Sequence, residues 1–108
     1  MVVVIFRTRL RAGVEKEIEA LGAQMYELAS SMPGFISYRE YGAADGESVA
    51  IVEFESPETL AAWREHPEHK AAQELGRQRF FAEYRIQVCS PIREYSYPPN
   101  RATNAPSG

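Results

Sequence analysis

The chain opens on consecutive apolar residues, Val2 to Phe6, which pass into Arg7, Arg9 and Arg11 and stop at Ala12-Gly13. Apolar side chains at successive positions cover both faces of a strand, the pattern of a strand inside a sheet. Residues 14–32 change period: Ile18, Leu21, Met25, Leu28 and Met32 recur at steps of three and four. Glu15, Lys16, Glu17 and Glu19 fall outside that stripe, so an amphipathic helix is predicted, stopped by Pro33-Gly34. Residues 35–41 and 48–55 read as strands around Asp45-Gly46, a hairpin signal. Ser56-Pro57-Glu58 is a helix start, with a serine cap and a proline in the first turn. Pro67 ends that helix near His66 and opens a second segment over residues 68–79. Residues 82–92 alternate Tyr84, Ile86 and Val88 with Glu83, Arg85 and Gln87, a last strand that Pro91 turns into an edge. Residues 93–97 extend it in this reading.

The order is βαββαβ, so the predicted class is α+β: a ferredoxin-like split βαβ plan with an antiparallel sheet and helices on one face. The domain spans residues 1–97. Residues 98–108, Pro-Pro-Asn followed by small and polar residues, have the composition of a disordered C-terminal tail. Val2, Val4, Phe6, Ile51 and Phe54 leave neither face of the central strands polar. An uncovered apolar face of that size asks for a partner, and a homodimer with two sheets face to face, a dimeric α+β barrel, answers it.

Composition narrows the function. The 108 residues carry a formal net charge of −3, without the basic excess of a nucleic-acid binder. No apolar run approaches the roughly 20 residues of a membrane span. Arg7, Arg9 and Arg11 follow the apolar run instead of preceding it, the reverse of a secretory leader, and the expected location is cytoplasmic. A single cysteine, Cys89, allows no internal disulfide and favours no metal site. Gly34, Gly42, Gly46 and Gly76 are isolated, so no phosphate-binding loop or dinucleotide fingerprint is present.

Met32-Pro33-Gly34-Phe35, the hairpin, residues 49–54, residues 56–63 and His66-Pro67-Glu68-His69-Lys70 together resemble antibiotic biosynthesis monooxygenase domains. The resemblance implies a ferredoxin-like fold paired into a dimeric α+β barrel. It also implies a pocket between sheet and helices in each subunit, and oxygenation of a phenolic, quinol or polyketide-like compound with O2 and no metal, haem or flavin. A related branch degrades haem with a pocket Asn, Trp and His. Alignment on the shared motifs puts Phe6 at the Asn position, Trp63 at the Trp and Gln73 at the iron-ligating His. Gln is a poor replacement for an imidazole on iron, which speaks against haem degradation, although His69 lies one helical turn before Gln73.

Oxygenation without a cofactor needs a substrate that supplies its own electrons once deprotonated, and a dry aromatic pocket with few polar groups. Trp63, Phe6, Tyr38, Phe54, Gln73 and Phe80 are the candidate substrate-binding residues. His66 and His69, the only histidines, are candidate bases, and Arg39 and Arg85 candidate partners for the resulting anion. The competing readings are a helix cap for His66, a surface place for His69, core packing for the aromatics and strand ion pairs for the arginines. At the level of function, the alternative is a non-catalytic small-molecule-binding or stress-response barrel on the same fold.

Overall fold

The computed structural model describes residues 1–98, so the expected tail beyond Pro98 lies outside the described residues. The chain runs β1 (Val2–Leu10), α1 (Glu15–Ser31), β2 (Phe35–Gly42), β3 (Ser48–Phe54), α2 (Pro57–Arg64), α3 (Pro67–Leu75) and β4 (Phe81–Cys89). All pairings are antiparallel in the order β2-β3-β1-β4, which places β1 and β3 inside the sheet. The predicted ferredoxin-like α+β plan is the observed one.

Register and alternation assign the two faces. Val4 stands opposite Val52 and Val88, and Phe6 opposite Ala50 and Ile86, so these side chains share the helix-covered face. Val2, Val4, Val52 and Phe54 meet Ala29, Leu60 and Trp63 there, with Leu28, Met32, Phe35 and Tyr38 packed around them. Each large apolar side chain fully buried in this way contributes about 1.5–3 kcal/mol. Val3, Ile5, Val49 and Ile51 lie half-buried on the opposite face, among Arg7, Arg39, Arg85 and Gln87.

Local chemistry sets the joints. The Ser56 hydroxyl accepts from the Thr59 N–H at 3.1 Å and the Thr59 hydroxyl accepts from the Ser56 N–H at 3.1 Å, a reciprocal box that starts α2. Gly34 turns the chain out of α1 at φ 81°, where L-residues are strained, and a Cβ there would lie 2.6 Å from Thr59 Cβ. The hairpin closes through Ala43 N–H to Glu47 O at 2.8 Å.

Two predicted ends move. The second helical segment stops at Leu75 and passes into one wider turn, Gly76–Phe80, in which the Phe81 N–H reaches back to Gly76 O. Arg11 holds that turn against the end of β1: its N–H donates to Phe80 O at 2.8 Å, and its guanidinium donates to Phe81 O at 3.2 Å and Gln78 O at 3.1 Å. The last strand ends at Cys89, opposite Val3, because β1 offers little beyond that point to pair with and Pro91 has no N–H to donate. Residues 93–97 form no strand.

Gly34→Ala should therefore lower the unfolding free energy by at least about 1–2 kcal/mol from backbone strain alone, with the Thr59 clash in addition. Gly13 shares the positive φ, at 82°, but has nothing within 4 Å of its Cβ position, so Gly13→Ala should cost the strain only. Urea titration of the two variants separates the contributions.

Candidate active site between the sheet and the helices

The helices cover the sheet incompletely. Beside β4 its helix-side residues Tyr84, Ile86 and Val88 stay 43–56% exposed, although the same face of β1 is buried at Val4 and Thr8. The gap is a cavity of about 810 Å³, within the usual range for small-molecule sites. β1 supplies Val4, Phe6 and Thr8, β2 supplies Tyr38 and Glu40, and α1 supplies Ile18, Leu21 and Met25. Trp63 comes from the end of α2 and His69 and Gln73 from α3. The stripe on α1 is thus split: Leu28, Ala29 and Met32 pack into the core, whereas Ile18 and Leu21 border the cavity.

Trp63 is 5% exposed and forms the inner wall. One side of its ring stacks on Phe54, centroids 5.5 Å apart at 23°, and His69 stacks at 4.1 Å and 12°. Tyr38 meets it edge-on at 6.3 Å. The indole Nε1–H is buried without a hydrogen-bond partner. Such an orphan donor costs about 1–3 kcal/mol.

The break between α2 and α3 places the histidines differently. His66 caps α3, its Nδ1 accepting from the Glu68 N–H at 3.1 Å, and it does not line the cavity. His69 does, with Gln73 Nε2 3.3 Å from its Nδ1 and 3.3 Å from Arg64 O. Burial pushes the His69 imidazole below its usual 6.5, outweighing the carbonyls of Trp63 and Arg64 that raise it. Tyr38 is driven the opposite way, by burial first and then by the Glu40 charge, and its hydroxyl donates to Glu40 Oε1 at 3.4 Å.

Of the candidate residues, Phe6, Tyr38, Trp63, His69 and Gln73 come together on the cavity wall. Phe54 and Phe80 do not line it: both are almost fully buried, Phe54 behind Trp63 and Phe80 in the turn after α3. Arg39 and Arg85 belong to the other face of the sheet, opposite Ile51 and Arg7. Neighbours on a strand point opposite ways, so once Tyr38 and Tyr84 face the helices, Arg39 and Arg85 cannot. Glu40 and Phe81 are further wall residues. Phe81 sits over Gly76, where a Cβ would come within 2.5 Å of its ring. Among the described residues no three His, Cys, Asp or Glu side chains converge as metal ligands, and no helix is long and apolar enough to cross a membrane.

Residues 1–75 match the family described as antibiotic biosynthesis monooxygenase. The Bacillus subtilis (strain 168) protein YqjZ is 31% identical over 77 residues, 71% of this chain and 68% of that protein. Rv0793 from Mycobacterium tuberculosis superposes with a TM-score of 0.79 at 26% identity, covering 88% of this chain and 98% of that one. SnoaB from Streptomyces nogalater, described as a cofactor-independent oxygenase, shares the fold with a TM-score of 0.74 at 15% identity, covering 90% and 96%.

The depressed His69 pKa carries a sign. The folded protein binds the imidazole proton more weakly than the unfolded chain, so the neutral ring is without penalty above about pH 6.5 and stability falls as pH drops through the folded value. The urea midpoint of the wild type should be lower at pH 5.5 than at pH 7.5. In His69→Gln the part of that difference due to the imidazole disappears.

Proposed function

The chain belongs to the antibiotic biosynthesis monooxygenase family, and on that footing we propose that it oxygenates a small phenolic, quinol or polyketide-like compound with O2 in the cavity between sheet and helices, without a prosthetic group. The observation that carries this reading is a largely apolar cavity of about 810 Å³ walled by Phe6, Tyr38 and Trp63. In this reading an aromatic ring of the substrate packs against Phe6, Tyr38 and Trp63. The description of SnoaB as a cofactor-independent oxygenase supports the same chemistry on this fold.

The reaction balances without added reductant. Loss of the phenolic proton gives a phenolate, whose ring carbon transfers electrons to O2 and forms a C–O bond. Loss of the proton from that carbon with cleavage of the O–O bond leaves a carbonyl, and the second oxygen departs as hydroxide. With the phenolic proton it becomes water, so one oxygen atom enters the product. The protein's part is to hold the ring, favour the anion and keep bulk water away. Glu40 offers an acceptor at the cavity wall for the phenolic proton. In this reading His66 serves as a helix cap, and Arg39 and Arg85 act away from the chemistry.

We also propose that two copies pack through the helix-free face, where Val3, Ile5, Val49 and Ile51 form an apolar centre ringed by arginines. Light scattering should give twice the chain mass, and Ile5→Glu should shift it toward the single chain. A wild type that stays monomeric at micromolar concentration contradicts the barrel.

Oxygen uptake screened over quinols and anthrone-like phenols tests the activity itself, with metal analysis and an absorption spectrum of the same preparation. Uptake with one oxygen atom incorporated into product is the expected result. Trp63→Phe should then raise KM several-fold, through the apolar wall area lost to the substrate ring, while the fold survives. Tight binding of phenols with no oxygen consumed would instead favour a binding protein.

A further inference from the structure

Gly76 is a glycine where the backbone does not ask for one. Its φ of −59° and ψ of −47° are ordinary right-handed helix, in which alanine is the more favourable residue. The position is buried, and a Cβ there would lie 2.5 Å from Phe81 Cε2 and 3.0 Å from Cδ2. What glycine supplies here is therefore room for one ring. Phe81 stands opposite Leu10 of β1, on the helix-covered face, and packs edge-on against Phe6 at 5.5 Å, with Tyr84 6.0 Å away. All three rings line the cavity. The backbone on either side is tied down by Arg11, whose N–H donates to Phe80 O at 2.8 Å and whose guanidinium donates to Phe81 O at 3.2 Å and Gln78 O at 3.1 Å. An atom added at position 76 is thus taken up by the Phe81 ring and not by the chain around it.

We propose that Phe81 is the specificity-determining residue that stops the cavity at the end remote from Trp63, and that Gly76 sets how far back its ring stands, so that together they select the ligand by the number of its fused rings. This deepens the reading of the cavity as a site for an aromatic compound and rests on it. Val4, Phe6, Thr8 and Leu10 all line the cavity, which therefore runs along β1. Val4 belongs to the same packed cluster as Trp63, and Leu10 pairs with Phe81. The two ends lie roughly 20 Å apart along the strand. A flat ring system lying along β1 from Trp63 meets Phe81 as it lengthens. Behind the Phe81 ring is the Gly76 backbone and beside it are Phe6 and Tyr84. A side chain at 76 therefore drives the ring into the open space of the cavity and shortens it, and removal of the ring lengthens it. A glycine that helix propensity disfavours, kept at the edge of a cavity, is the kind of local exception that accompanies a site.

The test measures binding of phenol, 2-naphthol and 2-hydroxyanthracene by equilibrium dialysis under nitrogen, where no oxygenation interferes. The quantity read is the affinity for three rings relative to one. Phe81→Leu should raise that ratio roughly tenfold, the order expected when a fused ring gains about 50 Å² of apolar contact. Gly76→Ala should lower it by a similar factor while leaving phenol binding nearly unchanged, with circular dichroism confirming the fold. The double variant separates the ring from the helix. Once Phe81 is leucine, Gly76→Ala should leave the ratio where Phe81→Leu alone puts it, and urea titration should find the alanine neutral or stabilising. That arm decides the matter even where Gly76→Ala alone folds poorly. An unchanged ratio in Phe81→Leu, an effect of Gly76→Ala as large without the Phe81 ring as with it, or no binding of 2-naphthol at millimolar concentration would overturn the proposal. If the ratio moves as stated but no phenol supports oxygen uptake in air, the oxygenase reading fails and the length stop stands. Uptake with a ratio that neither variant moves leaves the oxygenase and removes the stop.

Discussion

The stack of Phe54, Trp63 and His69 is the contact on which the site depends. Phe54, with no solvent exposure, anchors it in β3, Trp63 brings the end of α2 onto that ring, and His69 closes the far side from α3. The helices around Trp63 are short, eight and nine residues, below the length at which a helix is stable alone. Their position is therefore set by packing, and the largest packing element is the indole. The Ser56–Thr59 box and the His66 cap fix where each helix begins, and the bond from Gln73 to the Arg64 carbonyl ties the second to the first.

A stack of that kind also explains why core and cavity coexist on one sheet face. Trp63 and Leu60 fill the space over the Phe54 end of β3 and β1, so the sheet there is dry and close-packed. Toward Phe6 and Thr8 the helices diverge and β4 lies outside their cover. Small adjustments keep this end open yet shaped. Arg11 gathers the carbonyls of the wider turn after α3, and Gly76 lets the Phe81 ring lie directly on the backbone. Phe81 then packs edge-on against Phe6 at 5.5 Å, and Tyr84 at 6.0 Å from both, giving the cavity an aromatic end wall.

The ion pairs around this frame play a smaller part. Arg9 reaches Asp45 at 2.8 Å and Glu83 at 3.1 Å, joining the hairpin tip to the edge strand, and Arg79 meets Glu17 at 2.7 Å. All are exposed, and pairs of this kind contribute little each. Arg7 differs. Its Nε is buried without a partner on the helix-free face, where Arg7 stands opposite Arg85 and near Glu47 and Glu83.

What the sequence determined by itself is the list of elements and their order. Period-two and period-3.6 patterns, Pro33-Gly34, Asp45-Gly46 and Ser56-Pro57 are local signals, and each reappears in the structure as the same strand, turn or cap. The family resemblance added Trp63 as a pocket residue, a place that spacing alone does not give. Alternation also contained a warning against choosing Tyr38 with Arg39, since adjacent strand residues cannot share a face. Tertiary structure decided the rest. Whether His66 or His69 meets the cavity depends on where α3 lands after Pro67. Whether Phe54 is wall or core depends on what stacks over it. The surroundings of His69 depend on a glutamine four residues on and on the end of another helix. These are matters of non-local contact, and a linear pattern records only which residues are available to make them.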